Sequence, residues 1–451
     1  MIPSSPAPRP RAGAVVARVV ASAALALATL DAALAETTYV ATPATYRRHL
    51  ARLAPGDTLL LTAGEYRFGL PVHRLEGSPG HPITITGPSS GRPAVLVARM
   101  EGNTVSVVDS HHVAIRNLTL DGRGLRVDGV KAEGHAHWAH HITIENLVIR
   151  GHGADQQTVG ISTKCPAWNW VIRGNTIVGA GTGLYLGNSD GRAPFVAGLI
   201  ERNLIVNTVG YNLQIKHQLP RPGIPGMPTD PSTTIVRHNV FVKSEGGIRE
   251  MARPNVLVGH FPLEGPGVDD AYAVYGNFFY ENRFEALFQG EGNVALYDNI
   301  LVNPYGDAIR IQPHNDVPRR IDIAYNTVLA EGTGISVIQK PEHPARHLSV
   351  AANVVFAGAP IVGAAGTANL TGPLAEAARY LRRPYAPPGR IDVALRARGA
   401  HARGADLANP GTLPDWDRDF DGAPRSPDSV GAYAIAGASP RWLPGIEPKP
   451  P

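Results

Sequence analysis

Between about residue 110 and residue 356 one short pattern of apolar and polar positions recurs. An apolar or β-branched residue and one or two polar residues lead to Asn, and an alternating apolar run follows. It reads IRNLTL at Asn117, IENLVI at Asn146, IRGNTIV at Asn175, IERNLIV at Asn203 and VRHNVFV at Asn239. It continues as VYGNFFY at Asn277, LYDNILV at Asn299, IAYNTVL at Asn326 and VAANVVF at Asn353. The intervals are 28 or 29 residues at first, widen to 36 and 38 on either side of Asn239, and then run from 22 to 27. Strands this short bury too little apolar surface alone, whereas stacked repeats bury one continuous column of Val, Ile and Leu. The pattern therefore predicts an all-β solenoid: a single-stranded parallel β-helix. An Asn at the same corner of every coil tolerates left-handed backbone and can bond the next Asn.

Each coil carries a second strand, aligned as GISTK (160–164), GLYLG (183–187), NLQIK (212–216), GIREM (247–251), ALFQG (286–290), AIRIQ (308–312) and GISVI (334–338). Alternation points Ile161, Leu184, Leu213, Ile215, Ile248, Ile309 and Ile335 inward. It turns Ser162/Lys164, Tyr185/Gly187, Gln214/Lys216, Arg249/Met251, Phe288/Gly290 and Arg310/Gln312 outward. With coils about 4.8 Å apart, Lys216 and Arg249 are expected to be neighbours, with Tyr185 below and Arg310 above. His217, Arg253, His260 and His314 lie just beyond the strand. The two wide intervals place Pro/Gly-rich loops at 217–234 and 249–272, expected to wall the same region. A basic groove of about four to six coils results, suited to an extended anionic sugar chain.

The ends of the chain differ from the coils. At 1–35, Arg9, Arg11 and Arg18, an Ala/Val/Leu-rich run and Ala33-Leu34-Ala35 form a signal peptide pattern, predicting cleavage before Glu36 and export to the periplasm or beyond. The run lacks the length and flanks of a membrane anchor, so no span is expected in the mature chain. Residues 36–100 read as an N-terminal cap and first coils. Tyr46, Leu50 and Leu53 fall at helical spacing before Pro55-Gly56-Asp57, and a helix there would cover the open end of the solenoid. Coils fill 101–360. Residues 361–451 lose the period and read as a tail packing on the solenoid, with a short helix within 371–383.

Composition narrows the function classes. There are 49 Gly and 40 Pro, with 6% aromatic residues, as suits a turn-rich β protein. The net charge of +4 carries no Lys/Arg run, which fits an acidic partner and argues against nucleic acid. The single Cys165 allows no intrachain disulfide and reads as a small buried hydrophobe. His111, His112, His135, His137, His140 and His141 crowd around Trp138; the group could bind a transition metal, but at a loop-to-strand junction a hydrogen-bonded turn is the commoner explanation. Trp138, Trp168 and Trp170 offer either sugar stacking or cover for a sheet edge. Asp269 and Asp270 read as loop carboxylates facing water.

PGDTLLLTAGEYR (55–67), followed by the Asn-bearing coils, resembles the secreted right-handed parallel β-helix proteins, among them chondroitinase-B-like and alginate lyases and mannuronan epimerases. DFDGAPRSPDSVGAYAI (419–435) resembles a tail phrase of such proteins. LQIKHQ (213–218) and GGIREMARPN (246–255) are similar to the Lys and Arg segments of the chondroitinase-B-like lyases. The resemblance implies Lys216 as base, with Arg249 or Arg253 on the substrate carboxylate. Tyr185, Gln214, His217, His260, Arg310 and His314 then become candidate sugar contacts. His217 stands where that family usually has Ser, and its calcium-holding carboxylates have no evident counterpart, so no metal or other cofactor is expected. Gln312-Pro313-His314-Asn315 is similar to an epimerase phrase only at Pro313 and His314. The expectation is a monomeric, exported lyase acting on an acidic polysaccharide by β-elimination. A non-catalytic carbohydrate-binding β-helix, an epimerase and a glycoside hydrolase are the alternatives.

Overall fold

The structure is a computed structural model and describes residues 36–134, 137–314, 317–396, 413–426, 429–434 and 439–451. Residues 1–35, where the sequence leads one to expect a signal peptide, lie outside the described residues. The chain winds into a right-handed parallel β-helix with three faces. The first face starts at Thr38–Ala41 and Thr58–Leu61 and passes through Ser110–Arg116 and Ala139–Glu145 to His347–Ala351 and Gly366–Thr367. The second runs from Gly64–Tyr66 to Leu370–Gly372. The third runs from Leu70–His73 through Val130–Ala132, Thr182–Leu186 and Leu213–Ile215 to Ile309–Ile311. Near the C-terminal end Thr327–Val337 and Val354–Val362 bend round the corner and serve two faces each.

The core follows from the alternation. Val130, Ile161, Leu184, Leu213, Val256, Phe288, Ile309 and Ile335 form one fully buried column, in register from coil to coil. Cys165 is buried within the same core, and burial raises its thiol to about 12. At the N-terminal end Tyr46–Leu50 is helical and drops Tyr46 and Leu50 onto the first coil. Residues 371–383 form two short helical turns, Leu374–Glu376 and Ala377–Tyr380, and then the strand Leu381–Arg383.

The tail packs outside the coils. Phe420, Val430, Ala432, Tyr433 and Trp442 join a second apolar cluster with Val240, Phe278 and Tyr325. Arg425 forms a buried ion pair with Asp298 and covers the Tyr325 ring at 4.1 Å.

The corner Asn residues form a continuous ladder from Asn175 through Asn203, Asn239, Asn277, Asn299, Asn326 and Asn353 to Asn369. From Asn203 onward each Oδ1 accepts from both the backbone N–H and the side-chain amide of the Asn one coil earlier, while Asn175 Oδ1 accepts from Leu147 N–H; for Asn277 and Asn299 both distances are 3.0 Å. The spare amide hydrogen reaches a core-strand carbonyl, as from Asn277 to Val236 at 2.9 Å. The residue before each ladder Asn takes the left-handed turn, as Arg202 (φ 54°) does before Asn203.

Asn117 and Asn146 differ from the expectation. They occupy the left-handed position themselves (φ 56° and 54°), and Leu118 and Leu147 point inward instead. Missing the residue between the apolar strand end and Asn, these two coils carry Asn one position early.

Replacing Asn277 by Ala strands buried partners on both neighbouring coils and is expected to cost about 3 kcal/mol of stability. Asn146→Gly, at an exposed left-handed position, is expected to stay within about 0.5 kcal/mol of the parent. Urea unfolding of both variants checks the contrast.

Candidate functional site

Outward positions on the third face stack in register as Ser106, Lys131, Ser162, Tyr185 and Gln214. Two residues further along, Lys164 and Lys216 stand at strand ends on either side of Gly187. A side chain at Gly187 would lie 3.3 Å from Lys216 Cβ, so this glycine leaves room for the lysines. Lys131, Lys164, Tyr185, Gln214 and Lys216 line a cavity of about 520 Å³ together with Arg126, Asp128, Gln156, Tyr211 and Arg253. Asn103 and Arg126 also line an adjoining 540 Å³ cavity toward the N-terminal end, so the two form one groove along the solenoid.

The wall of the 520 Å³ cavity is cationic: Arg126, Lys131, Lys164, Lys216 and Arg253 face one carboxylate, Asp128. Asp128 is already committed, accepting from Val159 N–H and the Ser162 hydroxyl at 2.9 Å each. Lys164 Nζ sits 3.3 Å from the Tyr185 ring centroid, and Lys216 Nζ lies 6.0 Å from it on the coil above. Burial, with Lys131 and Lys216 nearby, lowers Lys164 to about 8 against the pull of Asp128. Burial also lowers Lys216, opposed by Glu291. Tyr185 and Tyr211 are pushed up, again chiefly by burial, and stay protonated at neutral pH. Arg253 reaches the groove over the Tyr211 ring at 5.9 Å. Its carbonyl is clamped by Lys243 Nζ and Asn282 Nδ2, each at 2.8 Å.

Of the residues singled out in the sequence, Lys216, Arg253, Tyr185 and Gln214 meet in this groove. His217 and His260 stack on each other at 5.3 Å just past the strand end, and His260 Nδ1 is bonded to the Phe261 carbonyl. His314 is exposed, its N–H on Glu291 at 3.1 Å.

Arg249 and Arg310 are not part of the groove. Arg249 lies in an exposed turn, Arg249–Met251, over the Phe284 ring at 5.5 Å. The strand above Leu213–Ile215 is Val256–Val258, which puts Leu257 over Gln214. Gly259 follows it above Lys216, where a side chain would meet His217 N at 2.4 Å. Ile248 is accordingly exposed. The Phe288 strand is shifted by one, so Phe288 is core and Gln289 faces out. Arg310 is neutralised by Glu285 (3.2 Å) and Asp307.

Neither long loop is a simple wall. The 217–234 loop lays Ile224 and Met227 against Trp168 on the first face. Asp270 is buried in an ion pair with Arg221 and accepts from Ser232 N–H, so it does not face water. Trp168 and Trp170 are core residues, the latter donating to the Ala139 carbonyl at 3.0 Å. Sequence reading missed Lys131, Lys164, Tyr211 and Arg126. Lys164 was visible, sharing the column of Lys216 two coils below. Asn255 before Val256, like Asn212 before Leu213, marks the true strand.

Calcium does not suit this donor set. The ion wants six to eight oxygen ligands, several of them carboxylate; Asp128, the one carboxylate lining the cavity around Lys216, already accepts from two donors, and Glu101 and Glu133 line only the adjoining cavity.

No family model matches the sequence, and no curated protein matches it. Solved structures similar to it include an alginate lyase from Paenibacillus sp. str. FPU-7 at 16% identity, covering 75% of this chain and 98% of that one, with TM-score 0.38. The A-module of the mannuronan C-5 epimerase AlgE4 of Azotobacter vinelandii is 15% identical, covering 74% and 91%, with TM-score 0.45. The family PL6 alginate lyase AlyGC is 14% identical over 73% of this chain, with TM-score 0.47; the chain spans about half of its length, 51%.

Lys164 is expected to titrate near pH 8, well below an ordinary lysine. Lys216→Ala removes a like charge and should move that midpoint upward; NMR titration of dimethylated lysines reads both values.

Proposed function

We propose that the chain is an exported lyase that cleaves a uronate-containing polysaccharide by β-elimination, working as a monomer in the groove on the third face. The observation that supports this most directly is the pairing of amines of lowered basicity with protonated tyrosines and a fixed arginine, in a channel running along the coils. A uronate carboxylate would lie on Arg253, whose charge offsets the negative charge that builds as the neighbouring C–H bond breaks. Lys216, in its neutral form, takes that proton. The electrons form the new C=C bond and expel the glycosidic oxygen on the adjacent carbon, and Tyr211 or Tyr185 supplies the proton to it. Lys131, Lys164 and Arg126 add the cationic field that draws in a polyanion. Gln214 offers an amide to sugar hydroxyls, and His217, His260 and His314 would reach the substrate only beyond the strand end.

No helix among the described residues is long and apolar enough to cross a membrane. Export rests on the leader pattern before Glu36.

Alginate, pectate and dermatan sulfate incubated with the mature protein test the reading through the ultraviolet absorbance of the unsaturated product. Absorbance on one of them is expected, and Lys216→Ala should lower the rate at least 100-fold while leaving the unfolding midpoint in place. Retained binding with no absorbance on any polymer would favour a non-catalytic role. Reducing sugar without absorbance would mean hydrolysis, and altered uronate stereochemistry without cleavage would mean epimerisation. Because the base must be neutral, kcat/KM should rise with pH and level off below the ordinary lysine value of 10.5, as the lowered Lys216 requires. A profile that falls across pH 7–9 would remove Lys216 from the role.

A further inference from the structure

Four histidines meet on the first face, away from the groove. Ser110–Arg116 and Ala139–Glu145 pair in parallel with His111 opposite His140. The next residue of each strand, His112 and His141, adopts left-handed backbone at φ 51°. That kink brings the second ring back beside the first. His111 stacks on His140 at 4.9 Å and 4°, and His112 on His141 at 4.3 Å and 9°. Within each strand the two Nδ1 atoms face each other, at 3.0 Å for His111–His112 and 2.7 Å for His140–His141. One ring nitrogen from each of His112, His140 and His141 falls within 4.8 Å of the others.

Ring nitrogens of His140 and His141 stand 2.7 Å apart and that of His112 lies within 4.8 Å of both, so modest ring rotations bring all three to the spacing of ligands on one ion. Two nitrogens bound at about 2.0–2.1 Å to a single metal lie about 2.9–3.4 Å apart for right-angle or tetrahedral arrangements. The rings are also held in place. His140 is stacked between His111 on the coil before (4.9 Å) and Trp168 on the coil after (4.4 Å), with Trp138 beside it at 5.2 Å, and Trp168 is itself roofed by Ile224 and Met227. His141 Nε2 lies 3.1 Å from the Asn169 side-chain amide. Turned by 180°, that amide presents its oxygen to Nε2–H, the outer partner by which a ligating histidine is usually oriented. The neighbouring carboxylate, Asp109, is occupied by His137 at 2.7 Å.

We infer that His112, His140 and His141 form a binding site for a divalent first-row transition ion, with His111 stacked behind them to fix the ring planes. An all-imidazole set suits zinc, copper or nickel and offers nothing to calcium or magnesium. The ion would clip two successive coils together at a corner preceding the start of the Asn ladder at Asn175.

The test uses the untagged mature protein, stripped with chelator and titrated calorimetrically with Zn²⁺ and, in parallel, Ca²⁺. One Zn²⁺ per chain is expected, with no Ca²⁺ heat at this site and a higher thermal midpoint that chelator reverses. X-ray absorption at the zinc edge should show imidazole nitrogens at about 2.0–2.1 Å. His141→Gln should weaken binding at least tenfold, whereas His343→Ala, an exposed histidine elsewhere, should leave it unchanged. His112→Gln provides a second variant should His141→Gln fail to fold. Absence of Zn²⁺ binding overturns the inference, as does equal affinity in the parent and in a folded His112 or His141 variant.

Discussion

Coil-to-coil register is the constraint on which the rest of this molecule depends. A one-residue slip between coils would turn every core residue toward water, and side-chain packing of Val, Ile and Leu alone discriminates weakly between similar registers. The buried Asn ladder makes the discrimination sharp. Each amide must find an oxygen on the next coil and a carbonyl on the coil before, and a slipped coil would leave these groups unpaired at a cost of about 1–3 kcal/mol each. The ladder therefore does for this chain what disulfides do for small secreted domains, and a single buried cysteine is sufficient. Before Asn175 the inward corner is held by Leu118 and Leu147, and packing replaces hydrogen bonding there.

Fixed register also decides what can stand on the outer surface. Like side chains at equivalent positions stack about 4.8 Å apart, a spacing at which two lysines repel strongly. Lys164 and Lys216 are two coils apart with Gly187 between them, and the Tyr185 ring lies against the Lys164 ammonium. Even so, two charges about 10 Å apart at an effective dielectric of 20 repel by nearly 2 kcal/mol. That repulsion favours loss of a proton from one amine or arrival of an anion between them, and both outcomes serve a polyanion-binding groove. Arg310, on the same face, shows the other solution, since Glu285 and Asp307 cancel its charge where it stands.

The solenoid, its coil count near the centre and most of its inward residues were legible because burial imposes a period of two that polar positions cannot disguise. The site was legible where the strand was. Lys216, Gln214 and Tyr185 lie on regular coils, and alternation placed them correctly. Arg249 failed because GIREM carries the alternation of a strand but none of its neighbours: the 36- and 38-residue intervals contain loops, and a loop can imitate alternation for five residues. Asn255 was the better guide, since a buried Asn before an apolar pair repeats the chemistry of Asn212 rather than its pattern. The offset at Asn117 and Asn146 has the same origin. Asn suits both the left-handed corner and the inward ladder position, so the residue type alone does not say which one it occupies.

The loop at 217–234 ties the two faces of interest to each other. It leaves the third face directly after Lys216, where Gln218 donates to the Phe195 carbonyl. Arg221, bonded to Pro228 O and paired with Asp270, then cross-braces it from within. It ends with Ile224 and Met227 on Trp168, the ring that stacks on His140. Gln218 and Met227 are buried at the two anchors, and Arg221 is buried between them. The groove is lined by residues of the coils and by Arg253, whereas this insertion makes its apolar contacts round the corner on Trp168, the ring stacked on His140.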